Sequence, residues 1–92
     1  MAVPDYQSVM LPLLEYAARR DIEISTGDAV DALAASLGLS EDDLKQMLPS
    51  GIQQTFVNRI GWAATYMKKA GLLGTTRRGY YRITHRGLDL LK

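Results

Sequence analysis

Residues 4–20 alternate apolar and polar positions with the period of a helix. In the segment PDYQSVMLPLLEYAARR the apolar positions recur every three or four residues, and Asp5 is placed to cap the first turn. Pro12 interrupts the segment, because proline has no amide donor and its ring crowds the preceding turn. The pattern therefore predicts a helix that either begins near Ser8 or is kinked at Pro12.

Three shorter elements follow. The segment DIEIS alternates polar and apolar residues over few positions, which predicts a short strand. Ser25 or Thr26 can cap a second helix. Ser40, with Asp43 three residues later, is a weak variant of the capping box and predicts a short third helix.

The longest predicted helix covers about residues 51–70, with Ser50 as its cap. Its apolar side, which we expect to be buried, holds Ile52, Phe56, Ile60, Ala63 and Met67. Its opposite side holds Gln54, Asn58, Gly61, Trp62, Thr65 and Lys69. The helix is therefore amphipathic, and its polar side is available for contacts.

A hairpin and a terminal helix complete the pattern. LLGTT and YYRIT are two short strands joined at Arg78-Gly79, where glycine supplies the positive φ of a tight turn. The hairpin covers about residues 74–83, and Thr84 can begin the last helix. This order predicts a mainly α chain with a small β-hairpin, a winged helix-turn-helix in which residues 1–92 form a single domain.

Composition excludes several kinds of site. The 92 residues include no cysteine and one histidine, His85, so disulfides and a zinc site of the usual ligands are not expected. The N-terminus lacks the pattern of a secretory signal, and no apolar run approaches the roughly 20 residues of a membrane span. We expect a cytoplasmic protein with no membrane partner and no cofactor in this chain.

Charge divides the chain into two halves. Residues 1–50 carry three Lys/Arg against nine Asp/Glu, whereas residues 51–92 carry eight Lys/Arg against one, Asp89. The overall net charge of +1 therefore hides an acidic half and a basic half. Such asymmetry bears on partners rather than on fold, and it points to nucleic acid.

The polar side of the long helix can read bases. Asparagine and glutamine can bond adenine bidentately, and Gln54, Asn58 and Thr65 lie on this side. Lys68 and Lys69 add positive charge at its end. The alternative is an ordinary solvated surface, but such a face more often carries Glu–Lys pairs, and this helix has no carboxylate. We treat Trp62 as a packing residue, since tryptophan is more often partly buried than exposed.

The hairpin is rich in arginine. Arg77, Arg78 and Arg82 lie within six residues and have no acidic neighbour in the sequence. An exposed tip of this kind suits phosphate contact or insertion into a minor groove. The alternative is that the charges only protect the edge strands from aggregation. His85 is interpreted as a cap or surface residue without a catalytic role.

Two short matches to a nuclease motif are misleading. Nucleases of the PD-(D/E)xK type hold a divalent metal between carboxylates, and Pro4-Asp5 with Asp43-Leu44-Lys45 fits those letters. Both matches fall at predicted helix starts, where aspartate commonly caps, whereas the nuclease site needs adjoining strands. We therefore expect no catalysis from this chain.

Several segments together resemble the N-terminal domain of Mrr-type restriction endonucleases. They are VPDYQSVMLPLL near the start, MLPSG at 47–51, FVNRIGWAATYMKKAGLL at 56–73 and RRGYYRITHRG at 77–87. The resemblance covers essentially the whole chain. It implies a winged-helix-like domain that binds double-stranded DNA, typically methylated, and that precedes a separate magnesium-dependent nuclease domain in the parent protein.

The resemblance also implies which side chains touch DNA. They are Gln53, Gln54, Asn58 and Arg59 on the helix and Arg77, Arg78, Tyr80 and Arg82 on the wing. The nuclease domain is missing from this sequence, so we expect either a targeting fragment of a longer protein, which we favour, or a freestanding module. A protein–protein or dimerisation module without DNA binding is the alternative, and the oligomeric state, a homo-oligomer included, stays open.

Overall fold

The computed structural model describes residues 3–92 and contains five helices and three strands in these residues. In chain order the elements are α1 Tyr6–Arg20, β1 Ile24–Ser25, α2 Thr26–Ser36, α3 Glu41–Lys45, α4 Thr55–Lys69, β2 Leu73–Arg77, β3 Tyr80–Ile83 and α5 His85–Leu90. The chain is mainly α with one small sheet, and it has the winged helix-turn-helix architecture that the sequence predicts.

Helix α1 begins at Tyr6, earlier than the start near Ser8 that was one of the two interpretations of its sequence. The Asp5 carboxylate accepts a hydrogen bond of 2.8 Å from the Ser8 amide, which places the first helical residue at Tyr6. The helix continues through Pro12, so the start near Ser8 is wrong. Val9 and Leu13 on its inner side are fully buried, and this burial holds the helix together across the proline.

The predicted starts of α2, α3 and α5 are confirmed. Ser25 caps α2 and Ser40 caps α3, each in a reciprocal capping box with the aspartate three residues later. Thr84 caps α5 by accepting a hydrogen bond of 3.1 Å from the Gly87 amide. These local hydrogen bonds set where each helix begins.

The long helix α4 begins at Thr55, four residues later than predicted. The preceding residues fold back on the end of α3: the Thr55 amide donates to the Gln46 carbonyl at 2.8 Å, and the Leu48 amide donates to the Gln53 carbonyl at 3.0 Å. Ser50 therefore does not cap α4. Ile52, which was expected in the core, is 86% exposed.

The sheet has three antiparallel strands in the order β1-β3-β2. Ile24 pairs with Tyr81, so the predicted short strand joins the edge of the hairpin. Gly79 at the tip has φ of 80°, and a bulge between Thr75 and Arg77 precedes the turn. Tyr81 and Ile83 point into the core, as the alternation predicts.

One core joins the helices to the sheet. Its largest fully buried side chains are Tyr81, Phe56, Leu13, Leu14, Ile24, Leu33, Ile60, Met67 and Val9. Helices α1 and α4 pack closely across this core. The apolar side of α4 is thereby covered, and its polar side faces outward beside the hairpin.

Candidate nucleic-acid interface

The outward side of α4 is a polar and aromatic stripe without carboxylates. Asn58, Trp62, Thr65 and Lys69 follow one another at helical intervals of four, three and four residues, and Phe56, Ile60 and Met67 on the other side are buried. No aspartate or glutamate occurs between Thr55 and Lys69. This side, which we call the α4 face, could approach a polyanion without charge repulsion from its own helix.

Three predicted site residues form a hydrogen-bonded group at the start of α4. Asn58 donates from Nδ2 to Oε1 of Gln53 at 3.2 Å, and Arg59 donates from Nη1 to Oδ1 of Asn58 at 3.4 Å. Nε of Arg59 is buried and has no hydrogen-bond partner within residues 3–92. The Arg59 side chain is thus partly packed inside, and it contacts Asn58 rather than standing free in solvent.

Gln54 differs from its predicted position. It precedes α4 as the N-cap residue, and its side chain makes no capping hydrogen bond. Its backbone forms an antiparallel bridge with Met47. Gln54 is exposed but belongs to the loop before the helix, so it does not continue the α4 face as the helix 51–70 would have required.

A shallow depression of about 290 Å³ lies on the α4 face. It is lined by Gln53, Asn58, Gly61, Trp62 and Thr65. A Cβ atom added to Gly61 would meet no other atom within 4 Å, so no internal contact requires glycine there. Thr65 donates its hydroxyl proton to the Gly61 carbonyl at 2.9 Å, which leaves its oxygen free to accept.

Trp62 lies at the surface of α4, half exposed, and packs against a neighbouring aromatic ring rather than in the core. Its side chain is 48% exposed and lies 6.0 Å from the Tyr66 ring, centroid to centroid. Tyr66 stacks in turn on Tyr6 at 5.0 Å. The helical spacing of Trp62 and Tyr66 from Asn58 was the available signal, because four-residue intervals place all three near one side.

Two arginines on the hairpin strands, Arg77 and Arg82, are paired with acidic residues. Nη2 of Arg77 lies 2.8 Å from Oε1 of Glu23, whose other oxygen accepts from the Thr76 hydroxyl at 2.7 Å. Arg82 lies 3.3 Å from Asp21. The absence of acidic neighbours held only along the sequence, since the fold places the segment before β1 against these arginines.

Arg78 at the hairpin tip is different. It is exposed and makes no ion pair within the described residues 3–92. Next to it, the Arg77 guanidinium lies 3.9 Å above the Tyr80 ring, which holds both side chains in place. The tip therefore presents one uncompensated cation, supported by a stacked pair.

Two lysines at the end of α4 lie over aromatic rings, one on the hairpin and one on α4 itself. Nζ of Lys68 lies 5.1 Å from the Tyr81 ring, and Nζ of Lys69 lies 5.8 Å from the Tyr66 ring. Tyr81 is itself buried, and burial raises the pKa of its hydroxyl, although Thr26 partly offsets the effect. Both lysine amines stay at the surface, so their charges remain available to a ligand.

The two aspartates that match the nuclease motif in the sequence both take part in helix capping. Asp5 caps α1, and the Asp43 carboxylate accepts from the Ser40 amide at 3.0 Å. His85 is the exposed first residue of α5, and Thr84 beside it is the cap. Across residues 3–92, no three His, Asp or Glu side chains come together as a metal site would require. No helix in this part of the chain is long and apolar enough to cross a membrane.

Comparison with known proteins gives a family. Residues 6–92 match the family model of the Mrr N-terminal domain. The chain is 35% identical over 89 residues to the type IV methyl-directed restriction enzyme EcoKMrr of Escherichia coli strain K12. That match covers 97% of this chain and 29% of the relative, so the chain spans less than a third of the relative's length. No solved structure matches the chain significantly.

The family match agrees with the fold that was derived from the residues. It spans every helix and strand from α1 to α5, including the α4 face and the hairpin. The chain belongs to the Mrr N-terminal domain family.

Proposed function

We propose that this chain binds double-stranded DNA, with the α4 face in the major groove and the hairpin tip on the flanking backbone. The observation that carries the proposal is the α4 face itself. It combines amide, hydroxyl and aromatic groups with terminal lysines and has no carboxylate, which is the chemistry that reads base edges beside phosphates.

The dimensions and placement of the elements support this docking. Helix α4 has 15 residues and is therefore about 22 Å long, and a major groove admits a single α-helix. In helix-turn-helix proteins the second helix of the pair, the recognition helix, inserts in this way, and α4 takes that role in the proposal. Arg78 at the tip and Lys68 and Lys69 at the end of α4 are free to neutralise phosphates, and each such contact releases counterions.

We further propose that methylated duplexes are preferred. The E. coli relative is described as methyl-directed. On the α4 face, Gly61 leaves a depression that is also lined by Trp62 and Thr65. An aromatic ring and a threonine methyl group together offer apolar contacts to the methyl group of a base. Duplexes that differ only in 5-methylcytosine or N6-methyladenine test this preference.

We propose binding without cleavage. The chain spans 29% of the relative, and its nuclease-like aspartates cap helices. In a longer parent protein, a separate magnesium-dependent nuclease domain would cut the DNA that this domain holds. Incubation of the chain with supercoiled plasmid and magnesium tests this directly. Cleavage that is lost in Asp43→Ala would refute the proposal.

A protein–protein module is the second candidate. Leu11 and Leu90 are 56% and 61% exposed beside an apolar groove between α1, α4 and α5. Met67 in this groove is nine residues from Asn58, which places the two on opposite sides of α4. A protein contact in the groove would therefore leave the α4 face free.

Salt dependence distinguishes the two functions. The affinity for a duplex is measured by fluorescence anisotropy from about 50 to 200 mM salt, over which a protein with several phosphate contacts loses orders of magnitude. A steep linear decrease of log K with log salt is expected. An affinity that is weak and independent of salt would favour the protein-contact module.

A further inference from the structure

Asn58 occupies the position from which a recognition helix reads a base. It lies in the first turn and a half of α4, on the α4 face, and it is half-buried rather than free to rotate in solvent. Helix-turn-helix proteins contact base edges with the N-terminal residues of the second helix. Asn58 is therefore better placed for base contact than Thr65 or Lys69 further along.

The orientation of the Asn58 amide is set by its two neighbours. A guanidinium group can only donate hydrogen bonds, so the group that faces Arg59 must be the oxygen, Oδ1, at 3.4 Å. The nitrogen, Nδ2, then faces Oε1 of Gln53 at 3.2 Å. Gln53 and Arg59 thus hold the amide in one of its two flipped states.

The remaining hydrogen-bonding capacity of Asn58 can be counted. A carboxamide has two N–H donors and two acceptor lone pairs, and the neighbours use one of each. One donor and one acceptor are left. In the major groove guanine offers two acceptors, cytosine one donor, and thymine one acceptor with a methyl group. Adenine alone offers an acceptor, N7, beside a donor, the N6 amino group.

We propose that Asn58 reads an adenine in the major groove, with Nδ2 donating to N7 and Oδ1 accepting from the N6 amino group. The inference rests on the proposed function, since it requires α4 to lie in the groove of a duplex. Gln53 and Arg59 act as positioning residues, because they orient the amide before DNA arrives. Pre-organisation of this kind reduces the side-chain ordering that binding requires.

The test begins with selection from a pool of randomised duplexes. The wild-type chain should enrich adenine at one position, with a preference over the other bases of about 5- to 150-fold, as expected for a bidentate contact. Asn58→Ala should abolish this preference and leave the salt slope unchanged. Gln7→Ala is the matched control, because it removes an exposed amide group on α1, outside the hydrogen-bonded group of Gln53, Asn58 and Arg59, and it should keep the preference.

A duplex with a modified adenine tests whether Asn58 contacts the N7 atom. Replacement of the selected adenine by 7-deazaadenine removes the N7 acceptor, so wild-type affinity should fall several-fold. Asn58→Ala should bind both duplexes equally. Gln53→Ala, which releases Nδ2, should reduce the adenine preference at unchanged salt slope. Gln53→Glu, which keeps an acceptor oxygen there, should retain the preference, while its added negative charge lowers the affinity for every duplex.

The failures are distinguishable. Salt-dependent binding with no base preference, or with an adenine preference that survives in Asn58→Ala, would overturn the assignment of Asn58 and leave duplex binding intact. Absence of salt-dependent binding would overturn the proposed function and this inference together. Thermal unfolding of each variant should match that of the wild type, because Asn58 and Gln53 are not in the core. This control distinguishes a loss of base preference from a loss of folding.

Discussion

The Arg77 guanidinium lies 2.8 Å from the Glu23 carboxylate, whereas the adjacent Arg78 has no ion pair within residues 3–92. Two neighbouring arginines of the hairpin therefore differ in how much charge they can offer a phosphate. Arg77 must give up or share its carboxylate partner before it can bind DNA. Arg78 needs no such exchange, so it should dominate the contribution of the tip.

Arg78→Ala should weaken binding to any duplex and reduce the salt slope of log K by about 0.9, the value of one phosphate contact on B-DNA. Arg77→Ala should have a smaller effect on both quantities, because Glu23 already compensates its charge. Anisotropy titrations at several salt concentrations measure both.

Lys92→Ala is the matched control for this pair, since Lys92 is exposed and lies at the end of the chain, where it pairs with Asp89 at 3.3 Å. It removes the same charge without touching the hairpin. Equal losses in Arg78→Ala and Lys92→Ala would show that only net charge matters, and would contradict a specific role for the tip.

Glu23→Gln should strengthen duplex binding. The substitution releases Arg77, while the amide oxygen can still accept from the Thr76 hydroxyl. We expect a steeper salt slope and higher affinity at low salt. Stability should change by less than about 1 kcal/mol, because the pair is exposed. Glu15→Gln on α1 removes the same charge from an exposed residue that has no ion pair within residues 3–92, and an equal gain there would refute the argument.

Gly61→Ala should separate stability from binding. Glycine inside a helix is about 0.5–1 kcal/mol less favourable than alanine, and the added Cβ meets nothing within 4 Å, so the free energy of unfolding should rise by about that amount. The same methyl group partly fills the depression on the α4 face, so duplex affinity should fall. Chemical denaturation and anisotropy give the two numbers.

Gly87→Ala provides the opposite comparison. Its Cβ would lie 2.5 Å from the Leu72 carbonyl oxygen and 2.7 Å from Cγ1 of Ile83, so α5 must shift. We expect a loss of at least about 1–3 kcal/mol of stability, as for other overpacked sites.

For Gly61→Ala, the contradicting outcome is a variant that is more stable but binds DNA with unchanged affinity. That result would show that the depression is not part of the DNA interface.

Low pH should lower the free energy of unfolding, because it protonates the aspartates that cap helices. The Ser8 amide lowers the pKa of Asp5, and the Ser40 amide lowers the pKa of Asp43, both from an ordinary value of 3.8. A depressed folded-state pKa contributes stability that is complete above 3.8 and is lost as pH falls through the lower value. Denaturation of wild type and Asp5→Asn between about pH 5 and 2 should show a shallower decline for the variant, which caps without titrating. Identical profiles would contradict the role of Asp5.

Local signals explain why much of the fold could be predicted. Asp5, Ser25, Ser40 and Thr84 each cap a helix through a residue at most three positions away, so the hydrogen bond is visible in the sequence. The turn at Gly79 is equally local, because its positive φ favours glycine. These elements agree with their predicted positions.

The start of α4 could not be predicted in the same way. Periodicity alone extends the helix back to Gly51, but Thr55 and Gln53 bond with Gln46 and Leu48, and such pairing leaves no mark in the apolar pattern. The ion pair between Glu23 and Arg77 has the same character, since the two residues are far apart in the sequence and meet only when β1 joins the hairpin. The candidate DNA contacts themselves stay predictions.

The central claim, that the α4 face and the hairpin tip bind duplex DNA, is tested most directly by amide chemical-shift mapping during titration with a duplex. The account predicts the largest shifts at Asn58, Gly61, Thr65 and the tip residues Arg78 and Gly79, with little change in the groove between α1 and α5. Shifts confined to that groove, around Leu11, or no shifts at all, would contradict it.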